Sequence, residues 1–325
     1  MKFFSSAARI LALCALAVCA GSSAAQQSYP IKPIRFIVPF PPGGSLDPVA
    51  RLVGQKLSEA WGQPVIVDNR PGGNTIIGTE AAAKSAPDGY TILLAASTHT
   101  INALLYDNLP YDSVKDFAPV ATLVKIPYIL VLNASVAANN LQEFIALARS
   151  KPGQLNYATS GSGNLNHLAG ELLSMLTEIR MQPVPYKGGG PALSGLLGGQ
   201  VQLQISNPVS FIPHVKSGKL KAIAVTGESR LAALPQVPTF IEVGLPDFDI
   251  NTWQGVLAPA RTPRAVIDRL STEMGRMLAT ADVREKLANQ GMEPFFSSPE
   301  QFAALIDANL TKFAKIIKTA NIKLE

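Results

Sequence analysis

The chain is poor in the residues that carry covalent and metal chemistry. Its 325 residues include two cysteines, Cys14 and Cys19, and both fall in a segment that reads as removable. The rest therefore offers no disulfide framework, thiolate metal site or cysteine nucleophile. Its three histidines, His99, His167 and His214, show neither HExxH nor another metal-ligand spacing. No GxSxG is present: around Ser162 the residues run Ser160-Gly161-Ser162-Gly163-Asn164, with serine where the first glycine should stand. Walker A and a GxGxxG following a strand are also missing. Nothing nominates a catalytic residue, a metal or a cofactor. Charged residues make up 16% of the chain, without the Lys/Arg cluster or basic-aromatic stripe that nucleic acid requires.

The first 25 residues read as a secretory leader. Lys2 and Arg9 supply a positive start, Ile10 to Ala20 an apolar centre, and Ser23-Ala24-Ala25 a cleavage site before Gln26. The apolar run is too short to span a membrane. Lipidation ranks below cleavage, because Val18 and Leu13 precede the cysteines where a small residue is needed. Removal leaves 300 residues with 26 basic and 23 acidic side chains, a formal charge of +3. No later run reaches the ~18 apolar residues of a membrane helix. Such a length usually exceeds one hydrophobic core, which favours two lobes.

What the sequence does contain is a recurring strand, glycine-rich turn and helix. The turns are Pro39 to Ser45, Asn69 to Asn74, Tyr157 to Asn164 and Tyr186 to Pro191. Strands are expected at Ile34 to Val38, Val65 to Val67, Thr91 to Ala95, Ile129 to Leu132, Leu155 to Ala158, Met181 to Pro185, Val201 to Ile205, Leu220 to Thr226 and Thr252 to Ala258. Ser97 to Thr100 reads as a polar strand end. Asn140 with Glu143 resembles a capping box, and Thr262-Pro263 and Ser298-Pro299 start helices. Three closing helices are expected over Pro263 to Leu278, Asp282 to Gln290 and Pro299 to Lys318. The alternation implies an α/β fold with mostly parallel sheets. The expected division is lobe 1 from 26–125 plus 230–325, with lobe 2 inserted at 126–229 and a ligand cleft between them.

In open α/β sheets ligands sit beyond the carboxyl ends of the strands. Free N–H groups at a helix start favour a carboxylate or phosphate there, and glycine permits close backbone approach. Each candidate also has a plain structural reading. Ser160 and Ser162 suit either ligand binding or capping of the helix near Asn164. Asp47 suits a helix cap better than a ligand contact, and Lys187 suits a solvated surface. Trp253 reads equally as a cleft wall or a core aromatic. His167 reads as a surface partner of Glu171, four residues on, or as a cleft contact.

Several segments together resemble one family: PFPPGGSLDPVAR (39–51), DNRPGGN (68–74), APDGYTILLA (86–95), LNYATSGSGNLNHLAGELL (155–173), PYKGGGPALSGLLGGQV (185–201), SGKLKAIAVTG (217–227) and NTWQGVLAPARTP (251–263). The chain resembles the Bug-type substrate-binding proteins of tripartite tricarboxylate transporters. The resemblance implies a two-lobe fold of the type II periplasmic-binding-protein kind, a periplasmic location and a monomer without cofactor. It also implies a small carboxylate ligand, passed to a permease of one large and one small membrane subunit. Carried over by position, it points to Gly44, Ser45, Ser97 and Thr98 in the first lobe. In the second it points to Ser160, Gly161, Ser162, Tyr186, Gly189 and Asn207. Phe40, Trp253 and Ser206 are the side chains expected to discriminate among acids. Many relatives carry Asp-Asn where this chain has Ser206-Asn207, which argues against an amino-acid ligand. A stand-alone sensor presenting its closed form to a receptor kinase is the alternative, and a hydrolase or lyase of a carboxylated substrate ranks third.

Overall fold

The computed structural model describes residues 29–43 and 46–322. The expected leader lies outside the described residues, as do Gly44 and Ser45. The first part of the chain alternates β1 (Ile34–Val38), α1 (Leu46–Trp61), β2 (Val65–Asn69), α2 (Ile76–Ala83), β3 (Thr91–Ala96) and α3 (Thr98–Leu105), then enters β4 (Phe117–Pro127). A second round gives β5 (Ile129–Asn133), α4 (Leu141–Ser150), β6 (Leu155–Thr159), α5 (Leu165–Thr177), β7 (Met181–Pro185) and α6 (Gly189–Leu197). It ends with β8 (Leu203–Ser206), α7 (Ile212–Lys216) and β9 (Leu220–Val225). The chain closes with β10 (Asn251–Pro259), α8 (Arg264–Leu278), α9 (Ala281–Ala288), β11 (Glu293–Ser297) and α10 (Pro299–Ala320).

These elements build two sheets, ordered β11-β4-β10-β3-β1-β2 and β7-β6-β8-β5-β9. In the first, β1 pairs in parallel with β2 and β3, while β10 runs antiparallel to β3 and β4. In the second, β6 is parallel to β7 and β8, and β5 is antiparallel to β8 and β9. Helices cover both faces, so central strands are apolar throughout: Phe36, Ile37 and Val38 are all fully buried. The α/β class expected from the alternation is the class observed. Among the described residues no helix is long and apolar enough to cross a membrane.

Two connections join the sheets. Tyr128 alone separates β4 from β5, and 226–250 links β9 to β10. They are tied together: Thr226 N donates to Tyr128 O at 2.8 Å, and Tyr128 N donates to Thr226 Oγ1 at 2.7 Å. Thr226 Oγ1 in turn donates to Asn251 Oδ1 at 3.1 Å.

The structure departs from the sequence reading at one point and adds to it at two. Ser97 to Thr100 is not a strand end; β3 stops at Ala96 and a helix begins at Thr98. The Ser97 carbonyl accepts from the N–H groups of Thr100 and Ile101, which closes the first helical turn. Strand β11 was not anticipated. Beyond residue 229 the chain still packs on the core around the second sheet. Leu231, Leu234 and Val237 pack with Ile129 and Val225, while Phe240, Phe248 and Ile250 join Tyr128 and Leu130. The carboxyl-terminal half of α10, through Phe313 and Ile316, lies on that same core. An irregular, proline-punctuated connection hides this packing because its apolar residues follow no period.

Candidate ligand-binding site

Pairing of the strands directs the turns to one place. Asn251 lies opposite Pro127 and Gln254 opposite Ala96, so β3 ends at the edge where β4 leaves the first sheet. The parallel partners β1 and β2 end on that edge too. Ile129 lies opposite both Ser206 and Val225, so β8 and β9 end where β5 begins, with β6 and β7 beside them. The turns after β1, β3, β6, β7 and β8 therefore face the junction between the sheets, as the strand-end rule requires.

In the first lobe, Asp47 organises the loop after β1. It lies within the first turn of α1 instead of capping it. Its Oδ2 accepts from Gly43 N at 3.3 Å and Arg51 Nε at 3.0 Å. Its Oδ1 accepts from Asn69 Nδ2 at 3.1 Å, so the carboxylate joins the ends of β1 and β2. The Arg51 bond, with those from Asn69 and Gly43, holds this carboxyl below the usual carboxylate range against its burial. Phe40 is half-buried and packs on the first-lobe core, its carbonyl accepting from Asn69 Nδ2.

The second glycine turn is structural. Gly72, Gly73, Asn74 and Thr75 all have positive φ. Buried Asn102 of α3 holds them by donating to Asn74 O at 2.6 Å and Thr75 Oγ1 at 3.2 Å. Ser97 is buried, and its Oγ accepts from Trp253 N at 3.1 Å, while Thr98 is half-buried on the first turn of α3. Trp253 combines the two readings offered for it. It is 3% exposed and meets Phe302 edge-on inside the first lobe, as a core aromatic does, and it also lines a small pocket of about 80 Å³ with Lys125, Asn251 and Phe313.

In the second lobe the third turn is the most developed feature. Gly161 has φ 136° and Gly163 φ 74°, conformations that glycine adopts without a Cβ penalty. Asn166 Nδ2 donates to Ser160 Oγ at 2.6 Å, and Gly163 N donates to His167 Nδ1 at 3.1 Å. Asn164 precedes α5 without a side-chain cap bond, and neither serine caps the helix. The N–H groups of Ser160 and Ser162 have no partner among the described residues. Ser162, His167 and Glu171 line a groove of about 510 Å³ that also touches β7 and the end of α10.

The fourth turn lies close by. A Cβ on Gly189 would stand 3.9 Å from Ser160 Oγ, and Tyr186 N donates to Thr159 O at 3.0 Å. The Tyr186 phenol turns along α6 instead, over Gly195, and donates to Gln200 Oε1 at 3.2 Å. Ser206 is the last residue of β8 and half-buried; Asn207 Oδ1 accepts from Val209 N at 2.9 Å.

His167 and Glu171 form a pair, but not on the surface. Their side chains are 12% and 20% exposed, with Nε2 3.9 Å from Oε1. Tyr157 O–H donates to Glu171 Oε1 at 2.6 Å. Burial lowers the His167 pKa, and it raises that of Glu171 against the Tyr157 bond. The sequence reading missed Asn102 and Asn166, whose amides brace the second and third turns. Their only signal was a polar residue on the apolar face of a helix.

Residues 49–322 match the model of the tripartite tricarboxylate transporter family receptor. The chain belongs to this family. Its relatives include Protein BugT of Bordetella pertussis, 36% identical over 98% of this chain and 99% of that protein. Among solved structures it is similar to Rpa4515 of R. palustris with adipate, at TM-score 0.80 and 33% identity, covering 91% of this chain and all of the other. MatC from Rhodopseudomonas palustris with bound malate follows at TM-score 0.75 and 31% identity, over 89% of this chain and all of that one. The fold is that of these periplasmic binding proteins, and members of the family bind solutes; none of these neighbours is described as an enzyme. Among the described residues no group of three or more His, Cys, Asp or Glu stands ready to hold a metal.

Proposed function

We propose that this protein captures a small organic carboxylate between its lobes and delivers it to a tripartite permease of one large and one small membrane subunit. The observation that carries the reading is the third turn, where two N–H groups and two serine hydroxyls stand at a helix start on the junction of the sheets. Such a turn holds an anion through backbone donors and the helix dipole. Each hydrogen bond to a charged group contributes about 1.5–3 kcal/mol net. The adipate and malate held by the two structural neighbours support the ligand class. Gly44, Ser45, Ser97 and Thr98 complete the clamp from the first lobe, and ligand bridging both lobes shifts the population toward the closed form.

The ligand lacks an amine. Strand β8 ends at Ser206 and is followed by Asn207, which offers no carboxylate for an ammonium group, and the Asn207 side-chain oxygen Oδ1 already accepts from Val209 N. Cleavage of the leader places the protein in the periplasm, where it acts as a monomer. A thermal-shift screen of adipate, malate and other acids against aspartate and glutamate tests the reading, since ligand at ~100 times its Kd adds about 2.7 kcal/mol. Stabilisation by simple mono-, di- or tricarboxylates and release of unchanged ligand are expected. Preference for aspartate or glutamate overturns the amine-free assignment, and turnover of the bound acid overturns the transport reading.

A further inference from the structure

The third turn is held from behind by a side chain whose chemistry is specific. Gly163 is buried and has φ 74°, so its N–H leaves the path of the helix that follows. That N–H finds no carbonyl; it donates to Nδ1 of His167, four residues on, at 3.1 Å. An N–H can only donate, so Nδ1 must carry the lone pair and the ring proton sits on Nε2. The opposite nitrogen faces Glu171 Oε1 at 3.9 Å, and that same oxygen accepts from Tyr157 O–H at 2.6 Å. Tyr157 stands on β6, and its ring fills the space that a Cβ on Gly170 would take. Strand, helix and turn are thus registered through one polar row that runs from Tyr157 through Glu171 and His167 to Gly163.

We propose that His167 is a positioning residue for the ligand-binding turn: by accepting from Gly163 it fixes the turn in the shape that leaves the N–H groups of Ser160 and Ser162 free to donate. The assignment rests on the proposed capture of a carboxylate at this turn. Asn166 holds the other end, through Ser160 Oγ, so the two helix side chains bracket the donors. His167 makes no ligand contact in this role. A residue of similar size without an acceptor leaves Gly163 N–H buried and unpaired, and the turn then opens to find water.

The full chain without ligand provides the test. A long-range proton–nitrogen NMR spectrum of the imidazole is expected to show the proton on Nε2 of His167, and this readout needs no variant. Amide exchange at Gly163 is expected to quicken about tenfold in His167→Phe, the equivalent of one net hydrogen bond. His167→Asn, whose Oδ1 lies near the place of Nδ1, is expected to restore slow exchange. A proton on Nδ1, or equal Gly163 exchange in all three proteins, overturns the proposal. Neither measurement uses a ligand, so a failure of carboxylate binding would overturn the proposed function and leave this result standing.

Discussion

The buried imidazole of His99 makes the first lobe acid-sensitive over a defined range. His99 is 3% exposed, with its ring edge-on to Phe117 and stacked near Tyr111. Its Nε2 lies 2.8 Å from Ser113 O, a carbonyl that only accepts, so Nε2 bears the proton. Nδ1 is buried and has no partner among the described residues. Protonation there would place a charge in the core, and burial accordingly lowers the pKa from 6.5 to about 4 against the opposing Ser113 bond. Between these values the unfolded chain binds the proton and the folded chain does not. Stability is therefore fully present above 6.5 and falls with pH toward 4. At 1.36 kcal/mol per unit the loss is about 3 kcal/mol, a large share of the ~5–15 kcal/mol that holds a typical domain together. Urea denaturation at pH 7, 5.5 and 4.5, compared with His99→Gln, isolates the effect; Gln keeps a donor for Ser113 O and cannot charge. His167 and Glu171 contribute to both proteins alike and cancel in the difference. An NMR pKa near 6.5 for His99, or equal pH slopes in the two proteins, would refute the reasoning.

Four further outcomes follow from named contacts. Gly170→Ala puts a Cβ into the Tyr157 ring, so it should destabilise by about 1–3 kcal/mol; an unchanged denaturation midpoint would contradict that packing. Tyr157→Phe removes the hydrogen bond that lowers the Glu171 pKa against burial, pushing it further up. Because a raised carboxyl pKa costs stability as pH rises through it, the variant should lose more stability at pH 8 than at pH 5, and equal losses would oppose the assignment. Ser162→Trp should weaken binding of whichever acid shifts the wild-type melting curve by at least about tenfold, with the ligand-free midpoint retained; unchanged affinity would remove Ser162 from the site. Ser206→Asp supplies a carboxylate at the end of β8 and should improve binding of aspartate relative to malate, measured by calorimetry; no gain would mean that the end of β8 does not reach the ligand.

Most strands and the glycine turns were legible because each depends on local chemistry. Apolar runs of five residues ending at glycine admit few readings besides a buried strand, and Ser298-Pro299 starts the helix it announces, with Ser298 forming a capping box with Gln301. Helix α3 was not legible. Thr98, His99 and Thr100 have weak helix propensity, and the helix exists because Ile101 packs on the second-lobe core and Asn102 braces the second turn. Strand β11 is equally dependent on its partner, since it pairs only with β4 at the sheet edge. Trp253 was ambiguous for a related reason. Both faces of β10 are buried, so alternation disappears and nothing in the sequence tells the core face from the cleft edge.

The same distinction separates the candidate residues that the sequence offers from the contacts that brace them. Glycine and serine at strand ends are visible one residue at a time, and the main-chain donors they leave there suit an anion. What braces the turns is long-range or helical: Asn69 to Asp47, Asn102 to Asn74, Asn166 to Ser160 and His167 to Gly163. Such braces need side chains that reach back from a helix or across from a neighbouring strand, and their spacing in sequence varies from 4 to 28 residues. On the proposed function, a cleft whose donors are backbone and whose braces lie behind it could exchange its rim residues and keep its grip on a carboxylate. The proposed part of Ser206 in ligand choice is what the Ser206→Asp comparison would read directly.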